Sequence, residues 1–404
     1  MSPLGRAWRM LRSRGIRPTF EKVLLKLFFR TPATPTFVRY EDAIAVDWRT
    51  PHPSVSEPRV IANDHQVVAW VMSPPGANSG GHQNIFRFIE FLEAAGHEVR
   101  IYLYSTVAYD TPEQARERVR TSTSYPKISA TIETYPEEGI PDDVDALFAT
   151  GWETAYRSYR DQSNARRFYF VQDYEPLFYS RGTEALLAEN TYRFGFTGIT
   201  AGDWLASRLR DEFGMTTSAF AFGAEGRNYS VVNHGRRDAV FFYARPETAR
   251  RGFELGVMAL DLVSRDRPNT PIIMAGQDLR GIAVPFAHEN PGNMQVSELN
   301  ATYNRCAAGL VLSLTNMSLL PLELLSAGVI PVVNSGDNNR LVSDNPFIEY
   351  TEPNPRALAD RILAILDRAD APAHAELAAG SVQTTTWSAA GEQFLKAFER
   401  GIRG

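Results

Sequence analysis

Short apolar runs alternate with amphipathic stretches along the chain, and this alternation predicts an α/β fold. The first run, VVAWVMSPP at residues 67–75, is followed by the small-residue loop GANSGGHQ, the helix-like NIFRFIEFLEAAGHEV and the strand-like HEVRIYLYS. The apolar residues of the helix-like stretch recur with helical spacing, and Gly96 marks its end. Strand, glycine loop, helix and strand in this order predict a parallel, right-handed βαβ unit.

The alternation continues in two series. Further strand-like runs of the first series lie at residues 145–150, 166–174, 195–202 and 216–224. The polar stretch RNYSVVNHGRRD then precedes a second series. In it the predicted strands AVFFYAR, TPIIMAG, GLVLSLT and VIPVVNSG alternate with the predicted helices TARRGFELGVMALDLVSR, LNATYNRCAA and SLLPLELLSAG. We therefore expect two doubly wound, Rossmann-like domains that face each other across a cleft.

The domain boundaries follow from where the pattern changes. We assign residues 1–60 to a basic helical extension and connector, 61–232 to the N-terminal domain and 233–385 to the C-terminal domain. The last segment, 386–404, contains the helical pattern WSAAGEQFLKAFERGI, which we expect to pack back toward the N-terminal domain.

Composition and charge exclude several classes of protein. The chain has 404 residues, of which 44% are hydrophobic and 22% charged, as in ordinary globular proteins. Its net charge of −5 gives no overall attraction to nucleic acid, so no nucleic-acid partner is expected. The single cysteine, Cys306, excludes an intrachain disulfide framework and is interpreted as core filler, which favours a reducing compartment such as the cytoplasm.

The first thirty residues are strongly basic, with eight Lys or Arg residues against Glu21 alone. From Phe20 onward, apolar residues follow helical spacing with basic residues elsewhere around the helix. Two interpretations stay open: residues 4–30 lie on an anionic membrane surface, as in a peripheral protein, or they dock on their own domain. No segment is long and apolar enough to predict a membrane span or a secretory signal.

The loop after the first strand is the first candidate site. Gly80 and Gly81 let the backbone approach a ligand, and the following helix start offers free N–H groups to an anion. The spacing matches neither a dinucleotide fingerprint nor a P-loop, and a simple connecting turn is the alternative. His82 could orient a hydroxyl or act as a base, or could be only a helix-start residue.

Two further candidates lie in the second half. Arg245 and Arg251, with Arg250 as the alternative to Arg251, could grip a diphosphate at the end of a strand; a solvated basic corner is the other reading. In SLTNMSLLPLELLSAG, a strand should end at Thr315 and a helix begin near Ser318. This arrangement would place the backbone amides of Asn316, Met317, Ser318, Leu319 and Leu320 at a positive helix end. Glu323, one turn further, could accept paired hydroxyls of a ribose or sugar.

These motifs resemble the GT-B glycosyltransferases of family 4. TNMSLLPLELLSAGVIPVV is similar to that family's EGFGLxxLEAMACGxPVV, and NIFRFIEFLEAAGHEV to its first helix, so that the resemblance covers residues from about 65 to 370. The resemblance implies that Glu323 binds the ribose and that Arg245 and Arg251 hold the diphosphate. It also implies that Gly80 and Gly81 face the donor phosphate and the acceptor.

Position 315 departs from the family pattern. The family commonly has a glutamate there, eight residues before Glu323, and this chain has Thr315. TNMSLLPLE and FVQDYEP together are similar to the bacterial rhamnan-type rhamnosyltransferases, whose donor is dTDP-L-rhamnose. A less acidic pocket suits the methyl group of a 6-deoxy sugar, although other deoxysugars and UDP-sugars remain open.

The resemblance also implies a mechanism. Family 4 enzymes are generally retaining and metal-independent, so the departing phosphate would help to deprotonate an acceptor hydroxyl on the same face of the sugar. Asp143 and Asp145 have the spacing of a metal-binding Asp-x-Asp motif, but they precede a strand and are interpreted as turn and strand-start residues; neither a metal nor another cofactor is expected. The acceptor would be a growing cell-surface glycan or a lipid-linked glycan.

Asp173, in FVQDYEP, should face the cleft from the acceptor side. With Tyr174 and Glu175 it is the best candidate to bind or deprotonate the acceptor hydroxyl; a loop carboxylate that caps a neighbour is the alternative. Two competing functions remain open from the sequence. One is a sugar-nucleotide 2-epimerase of the same fold, and the other is a non-catalytic protein that binds carbohydrate or nucleotide-sugar.

Overall fold

The computed structural model describes residues 38–50, 61, 64–76, 79–105, 110–224, 226 and 228–403. The basic amphipathic segment predicted over residues 4–30 therefore lies outside the described residues. Among those described, no helix combines the length and apolar composition needed to cross a bilayer.

The N-terminal domain is built on a parallel sheet of seven strands. The strands are β1 Val67–Met72, β2 Glu98–Leu103, β3 Thr131–Thr134, β4 Ala146–Ala149, β5 Arg166–Val171, β6 Thr197–Ala201 and β7 Thr217–Phe220, in the order β3-β2-β1-β4-β5-β6-β7. The accompanying helices are α1 Tyr40–Ile44, α2 Gly80–Ala94, α3 Pro112–Thr121, α4 Trp152–Arg160, α5 Thr183–Asn190 and α6 Asp203–Phe213, with 3-10 turns at Glu175–Phe178 and Thr191–Arg193.

The C-terminal domain is built on a second parallel sheet, of six strands. These are β8 Ala239–Tyr243, β9 Ile272–Ala275, β10 Glu289–Gly292, β11 Cys306–Val311, β12 Ile330–Asn334 and β13 Glu349–Thr351, in the order β10-β9-β8-β11-β12-β13. The remaining helices are α7 Phe253–Asp266, α8 Val296–Tyr303, α9 Leu320–Ser326, α10 Asp337–Arg340, α11 Pro355–Leu366, α12 Ala371–Gly380 and α13 Trp387–Arg403, with a 3-10 turn at Ala249–Arg251.

The central strands β1 and β4 of the first sheet and β8 and β11 of the second are apolar along their whole length, as expected where helices cover both faces of a sheet. In β1, the residues from Val68 to Met72 are all 0% exposed, and β11 and β12 are buried throughout. Trp70 stacks on Phe148 of the neighbouring strand, with ring centroids 4.4 Å apart. This pattern of continuous apolar runs is the signal from which the two parallel sheets were predicted, and the structure confirms both.

The C-terminal helix α13 lies on the N-terminal sheet and α2. Phe394 is fully buried among the rings of Trp70, Phe88 and Phe170, with ring centroids 4.8–6.2 Å away. Gly391 permits the close approach, since a Cβ at this position would lie 2.6 Å from the ring of Phe91. The chain thus crosses from the C-terminal domain back to the N-terminal one.

The structure differs from the predicted elements at several short segments. The helix predicted over LNATYNRCAA ends at Tyr303, and Cys306 instead begins β11, where it is buried. Three edge strands, β3, β10 and β13, were not predicted. Each has only three or four residues, and the ENPG sequence of β10 has no apolar pattern, so only pairing with a neighbouring strand makes these segments extended.

Candidate active site

The functional candidates converge where the carboxyl ends of the two sheets meet. Asp173 lies two residues after β5, Arg250 and Arg251 follow β8, and Thr315 and Asn316 follow β11. Parallel strands end at the same edge of a sheet, so each domain contributes side chains from several loops to one cleft. Residues far apart in the sequence are thereby brought within hydrogen-bonding distance.

Asp173 is held by groups from both domains. Its Oδ1 accepts the backbone N–H of Asn316 at 2.8 Å and that of Tyr174 at 2.8 Å, and its Oδ2 accepts the hydroxyl of Thr315 at 2.9 Å. Arg250 Nε lies 3.6 Å from Oδ2, an ion pair too long for a hydrogen bond. The side chain is 13% exposed.

Burial is the dominant influence on the ionisation of Asp173. It raises the pKa of the carboxyl, while the hydrogen bond from Asn316 and the charges of Arg251 and Arg250 act in the opposite direction. The net effect is a pKa above the ordinary value for aspartate. Such a carboxylate is a stronger proton acceptor than one in water, which suits a catalytic base.

Arg250 and Arg251 lie beside this carboxylate, and Arg245 lies within electrostatic range of Arg251. Burial lowers the pKa of Arg251, the charge of Asp173 raises it, and the charges of Arg250 and Arg245 lower it further. Arg251 donates to Ser313 Oγ at 3.3 Å, and Arg245 contacts Tyr243 Oη and the Gly276 carbonyl oxygen at 3.4 Å each. Two guanidiniums beside one carboxylate, with the third guanidinium close to Arg251, form a positively charged group that an anionic ligand would neutralise. Arg250 was predicted only as the alternative to Arg251, and the structure brings both into the cleft.

The loop 313–319, which carries most of the predicted donor-binding residues, is anchored by asparagines. Asn334 exchanges two hydrogen bonds with the backbone of Ser313, at 2.7 and 2.8 Å, and Asn338 and Asn339 also donate to the Ser313 carbonyl oxygen. Asn338 donates to the carbonyl oxygen of Thr315 as well. Sequence reasoning missed these asparagines, although three of them in the stretch NSGDNNR were a visible polar signal after a buried strand.

Within this loop the side chains face different environments. Met317 is 1% exposed and lies near the Tyr350 hydroxyl, so its side chain is part of the core. Ser318 has a φ of 70°, a left-handed conformation that is uncommon for a residue other than glycine. Leu319 precedes α9, and Leu314 is 49% exposed. A strained backbone such as that at Ser318 is found at ligand-binding loops.

Glu323 lies in the first turn of α9 and is partly exposed. Its charge contributes, after burial, to raising the pKa of the Tyr303 phenol, which shows that the two groups are neighbours. Helix α9 begins at Leu320, whereas the helix was predicted to begin near Ser318, and it has only seven residues. Its dipole is therefore weaker than that of a longer helix. The proposed role of Glu323 as a ribose ligand remains a prediction.

The glycine loop borders the same cleft. Gly80 and Gly81 begin α2, and no described atom comes within 4 Å of where a Cβ of Gly80 would lie. The Gly81 carbonyl oxygen accepts a hydrogen bond of 3.2 Å from Gln172, the residue before Asp173. The start of α2 is thus joined to the loop that carries the carboxylate.

His82 is occupied by structural contacts. Its Nε2 lies 2.9 Å from the Ser73 carbonyl oxygen, which can only accept, and its Nδ1 lies 2.9 Å from Ser79 Oγ. Burial lowers the pKa of the imidazole, so the neutral ring is favoured. Both ring nitrogens are engaged in holding the loop, which agrees with the helix-start interpretation and leaves neither nitrogen for a substrate.

Tyr174 and Glu175 follow Asp173 in sequence but turn into the N-terminal domain. Glu175 is 7% exposed, and its Oε2 accepts the backbone N–H of Trp152 at 2.6 Å and the hydroxyl of Tyr169 at 3.1 Å. Tyr174 is 3% exposed, and its hydroxyl donates to Glu189. Neither side chain joins Asp173 in the cleft, because the 3-10 turn at Glu175–Phe178 redirects the chain.

The two aspartates with metal-motif spacing lie away from the cleft. Asp143 pairs with Arg100 at 2.7 Å, and Asp145 Oδ2 accepts the backbone N–H of Val67 at 3.0 Å. Both contacts belong to the amino-terminal edge of the first sheet, as expected for turn and strand-start residues. Within the described part of the chain, no group of three or more His, Cys, Asp or Glu residues is arranged to hold a metal ion.

Sequence comparisons find one matching domain family and a curated relative. The family described as "WsaF, C-terminal domain" matches residues 238–363. The O-antigen biosynthesis protein RfbC of Myxococcus xanthus is 31% identical over 347 residues, which are 82% of this chain and 27% of RfbC. The chain thus spans about a quarter of the length of this relative.

Structural comparisons identify the fold. Sucrose-phosphate synthase from Thermosynechococcus elongatus superposes with a TM-score of 0.64 at 14% identity, over 83% of this chain and 98% of that one. A mutant of S. aureus TarM in complex with Fondaparinux, alpha-GlcNAc-glycerol and UDP superposes with a TM-score of 0.64 at 8% identity, over 82% and 99% of the two chains. At these identities the similarity establishes the fold, and the chain has the GT-B fold of the glycosyltransferases.

Proposed function

We propose that the chain is a glycosyltransferase that moves a sugar from a nucleoside diphosphate to a hydroxyl of a growing cell-surface glycan. The observation that carries the proposal is that Arg250 and Arg251 lie beside Asp173, with Arg245 close to Arg251, in the cleft between two Rossmann-like domains. A diphosphate leaving group needs such an excess of positive charge, and an acceptor hydroxyl needs such a carboxylate. The matches to the WsaF C-terminal domain and to an O-antigen biosynthesis protein support this reading.

The proposed donor is dTDP-L-rhamnose. Its diphosphate would lie against Arg245 and Arg251, with the α2 start at Gly80 and Gly81 facing the phosphates and Glu323 binding the ribose. Ser318 and Leu319 would line the sugar pocket, for which the absence of a carboxylate at position 315 favours a 6-deoxy sugar. Support for the rhamnosyl assignment comes from the motifs TNMSLLPLE and FVQDYEP.

The proposed reaction retains the configuration at the anomeric carbon and uses no metal. The bond from C1 to the diphosphate oxygen breaks while a bond from the acceptor oxygen to C1 forms on the same face of the sugar. The acceptor proton passes to Asp173, and the arginines stabilise the charge that develops on the diphosphate. Catalysis then combines positioning, electrostatic stabilisation and proton transfer to Asp173.

A thermal-shift screen across dTDP, UDP, GDP and their sugars tests the donor. We expect dTDP-L-rhamnose to raise the midpoint of unfolding more than any other member of the panel, since a ligand that binds only the folded state stabilises it. A larger shift with a UDP- or GDP-sugar would replace the donor assignment. The absence of a shift with the whole panel would contradict the nucleotide-sugar site.

Turnover separates the proposed enzyme from the two other functions. A transferase should release dTDP from the donor, faster with a glycan acceptor, and EDTA should leave the rate unchanged. Loss of turnover in EDTA that is restored by magnesium or manganese would contradict the metal-independent mechanism. Isomerisation of the donor sugar without acceptor would indicate a 2-epimerase, and binding without turnover would indicate a non-catalytic protein.

A further inference from the structure

Thr315 and Asn316 reach from the C-terminal domain into the N-terminal domain. Thr315 is 0% exposed and Asn316 is 2% exposed, so both are enclosed by the two domains. The Thr315 hydroxyl and the Asn316 backbone N–H each donate to Asp173. In addition, Asn316 Nδ2 donates to the carbonyl oxygens of Gln172 at 2.9 Å and Ala201 at 3.0 Å, at the ends of β5 and β6. The Asn316 Oδ1 accepts the backbone N–H of Met317 at 3.0 Å, which fixes the orientation of the amide.

These contacts leave little capacity for a ligand. The Thr315 hydroxyl hydrogen and both functional ends of the Asn316 side chain are already used by protein groups. A sugar hydroxyl would have to displace a buried hydrogen bond to reach either residue, at a cost in free energy. Thr315 and Asn316 were predicted to bind the donor, and their contacts point to another role.

We propose that Thr315 and Asn316 are positioning residues for Asp173, and that this interdomain clamp sets the carboxylate for reaction only while the cleft is closed. The inference rests on the proposed function in one respect, because it takes Asp173 as the group that receives the acceptor proton. From its own domain Asp173 receives only the hydrogen bond of the Tyr174 N–H among the contacts described above. Opening of the cleft would remove the other two hydrogen bonds and free the carboxylate to rotate.

The groups around Asp173 determine whether its pKa should rise or fall when Thr315 is substituted. Arg250 and Arg251 favour the ionised carboxylate, as do the hydrogen bonds from Thr315 and Asn316, whereas burial disfavours it. Glu175 and Tyr192 also lie within electrostatic range, on the side of the N-terminal domain. Removal of the Thr315 hydroxyl takes away one group that favours the ionised form, so the pKa of Asp173 should rise.

An NMR titration tests the clamp without any assumption about activity. In the full chain labelled with 13C at aspartate carboxyl groups, Asp173→Asn identifies the signal of Asp173. We expect Thr315→Val to raise the pKa of Asp173 by about one unit, the size expected for loss of one hydrogen bond to a charged group. Thr315→Ser, which keeps the hydroxyl, should restore the wild-type value.

The matched control is Thr351→Val, which makes the same substitution in β13, where the hydroxyl bonds to the Glu349 carbonyl oxygen. It should leave the titration of Asp173 unchanged. If Thr315→Val does not fold, Thr315→Ala removes the same hydroxyl with a smaller side chain. An unchanged pKa in whichever of the two variants folds, or failure of Thr315→Ser to restore it, would overturn the inference.

The pH dependence of dTDP release provides the functional measurement. The base must be ionised, so the acidic limb of kcat/KM should move upward by about one pH unit in Thr315→Val, and the rates should converge at pH values above both limbs. A protein with no turnover would contradict the proposed function, while the NMR titration would still test the clamp. An active Thr315→Val variant with unshifted titration and unshifted pH profile would contradict the clamp and leave the proposed function intact.

Discussion

Asp173 and Arg251 carry opposite charges in the same cleft, and their pKa values are shifted in opposite directions. Both are partly buried, and burial opposes the charged form of each, raising the pKa of the carboxyl and lowering that of the guanidinium. Each favours the charge of the other, whereas the positive charges of Arg250 and Arg245 disfavour that of Arg251. We expect the positive charge of the arginines to serve in the binding of an anion. The carboxylate of Asp173 would serve in the chemical step.

Substitution at these residues should separate binding from turnover. Arg251→Ala should weaken the binding of dTDP about 10- to 100-fold, the range expected for loss of hydrogen bonds to a charged group, and should affect thymidine much less. Asp173→Asn should keep dTDP affinity and lower turnover by at least about 100-fold, the contribution typical of a general base. Calorimetric titration and dTDP release measure the two effects.

Arg305→Ala is the matched control for the arginine, because Arg305 lies in the same domain and pairs with Glu289 at 2.6 Å on the surface. It should leave dTDP affinity unchanged, as isolated surface ion pairs contribute little. Equal dTDP affinity in Arg251→Ala and the wild type would remove Arg251 from the diphosphate site. Wild-type turnover in Asp173→Asn would remove Asp173 from the mechanism.

At the scale of elements, α13 joins the two domains by packing on the N-terminal domain. It ends the chain after the C-terminal domain, yet its apolar face packs on α2 and the first sheet through Phe394. The Gln393 side chain also accepts the backbone N–H of Ala221 at 2.8 Å, just after β7. The N-terminal domain therefore depends for its core on the last helix of the chain.

Phe394→Ala tests this dependence. Removal of a fully buried phenylalanine side chain leaves a cavity, so the free energy of unfolding should fall by about 3–5 kcal/mol. Glu392→Ala, at an exposed position of the same helix, should change it by less than about 0.5 kcal/mol. Urea unfolding measures both values, and similar stabilities for the two variants would show that α13 contributes little to the N-terminal core.

At the scale of the whole molecule, the cleft is closed by hydrogen bonds that join the carboxyl ends of the two sheets. The same contacts bring the proposed base beside the proposed diphosphate ligands, so the relative position of the domains sets the geometry of the reaction. A glycan acceptor bound to a membrane would also require the molecule to lie at a bilayer, and the basic segment 4–30 is the part of the chain proposed to do this.

Liposome flotation tests the membrane proposal. The full chain should float with vesicles that contain anionic lipid, and binding should weaken at high salt because the attraction is electrostatic. A chain that lacks residues 1–35 should remain unbound, and vesicles of neutral lipid provide the control. Equal binding by the full and shortened chains would contradict a membrane role for the segment.

The sequence by itself determined the two α/β domains and the identity of most cleft residues. Long apolar runs such as β1 and β11 are buried on both faces, so their hydrophobic pattern specifies strands without reference to their neighbours. Arg245 and Asp173 were predicted because each is a charged residue at the end of such a run, and Arg251 because it lies at the start of the helix that follows the strand. The edge strands were missed because their extended form depends on pairing across the sheet.

Only the tertiary structure decided what these residues contact. Thr315 and Asp173 are 142 positions apart, and nothing in either local sequence indicates their hydrogen bond. The side chains of Tyr174 and Glu175, next to Asp173, turn into the domain because a 3-10 turn follows it. Local patterns specify elements, whereas the packing of two domains determines which polar groups meet in the cleft and which are consumed in the core.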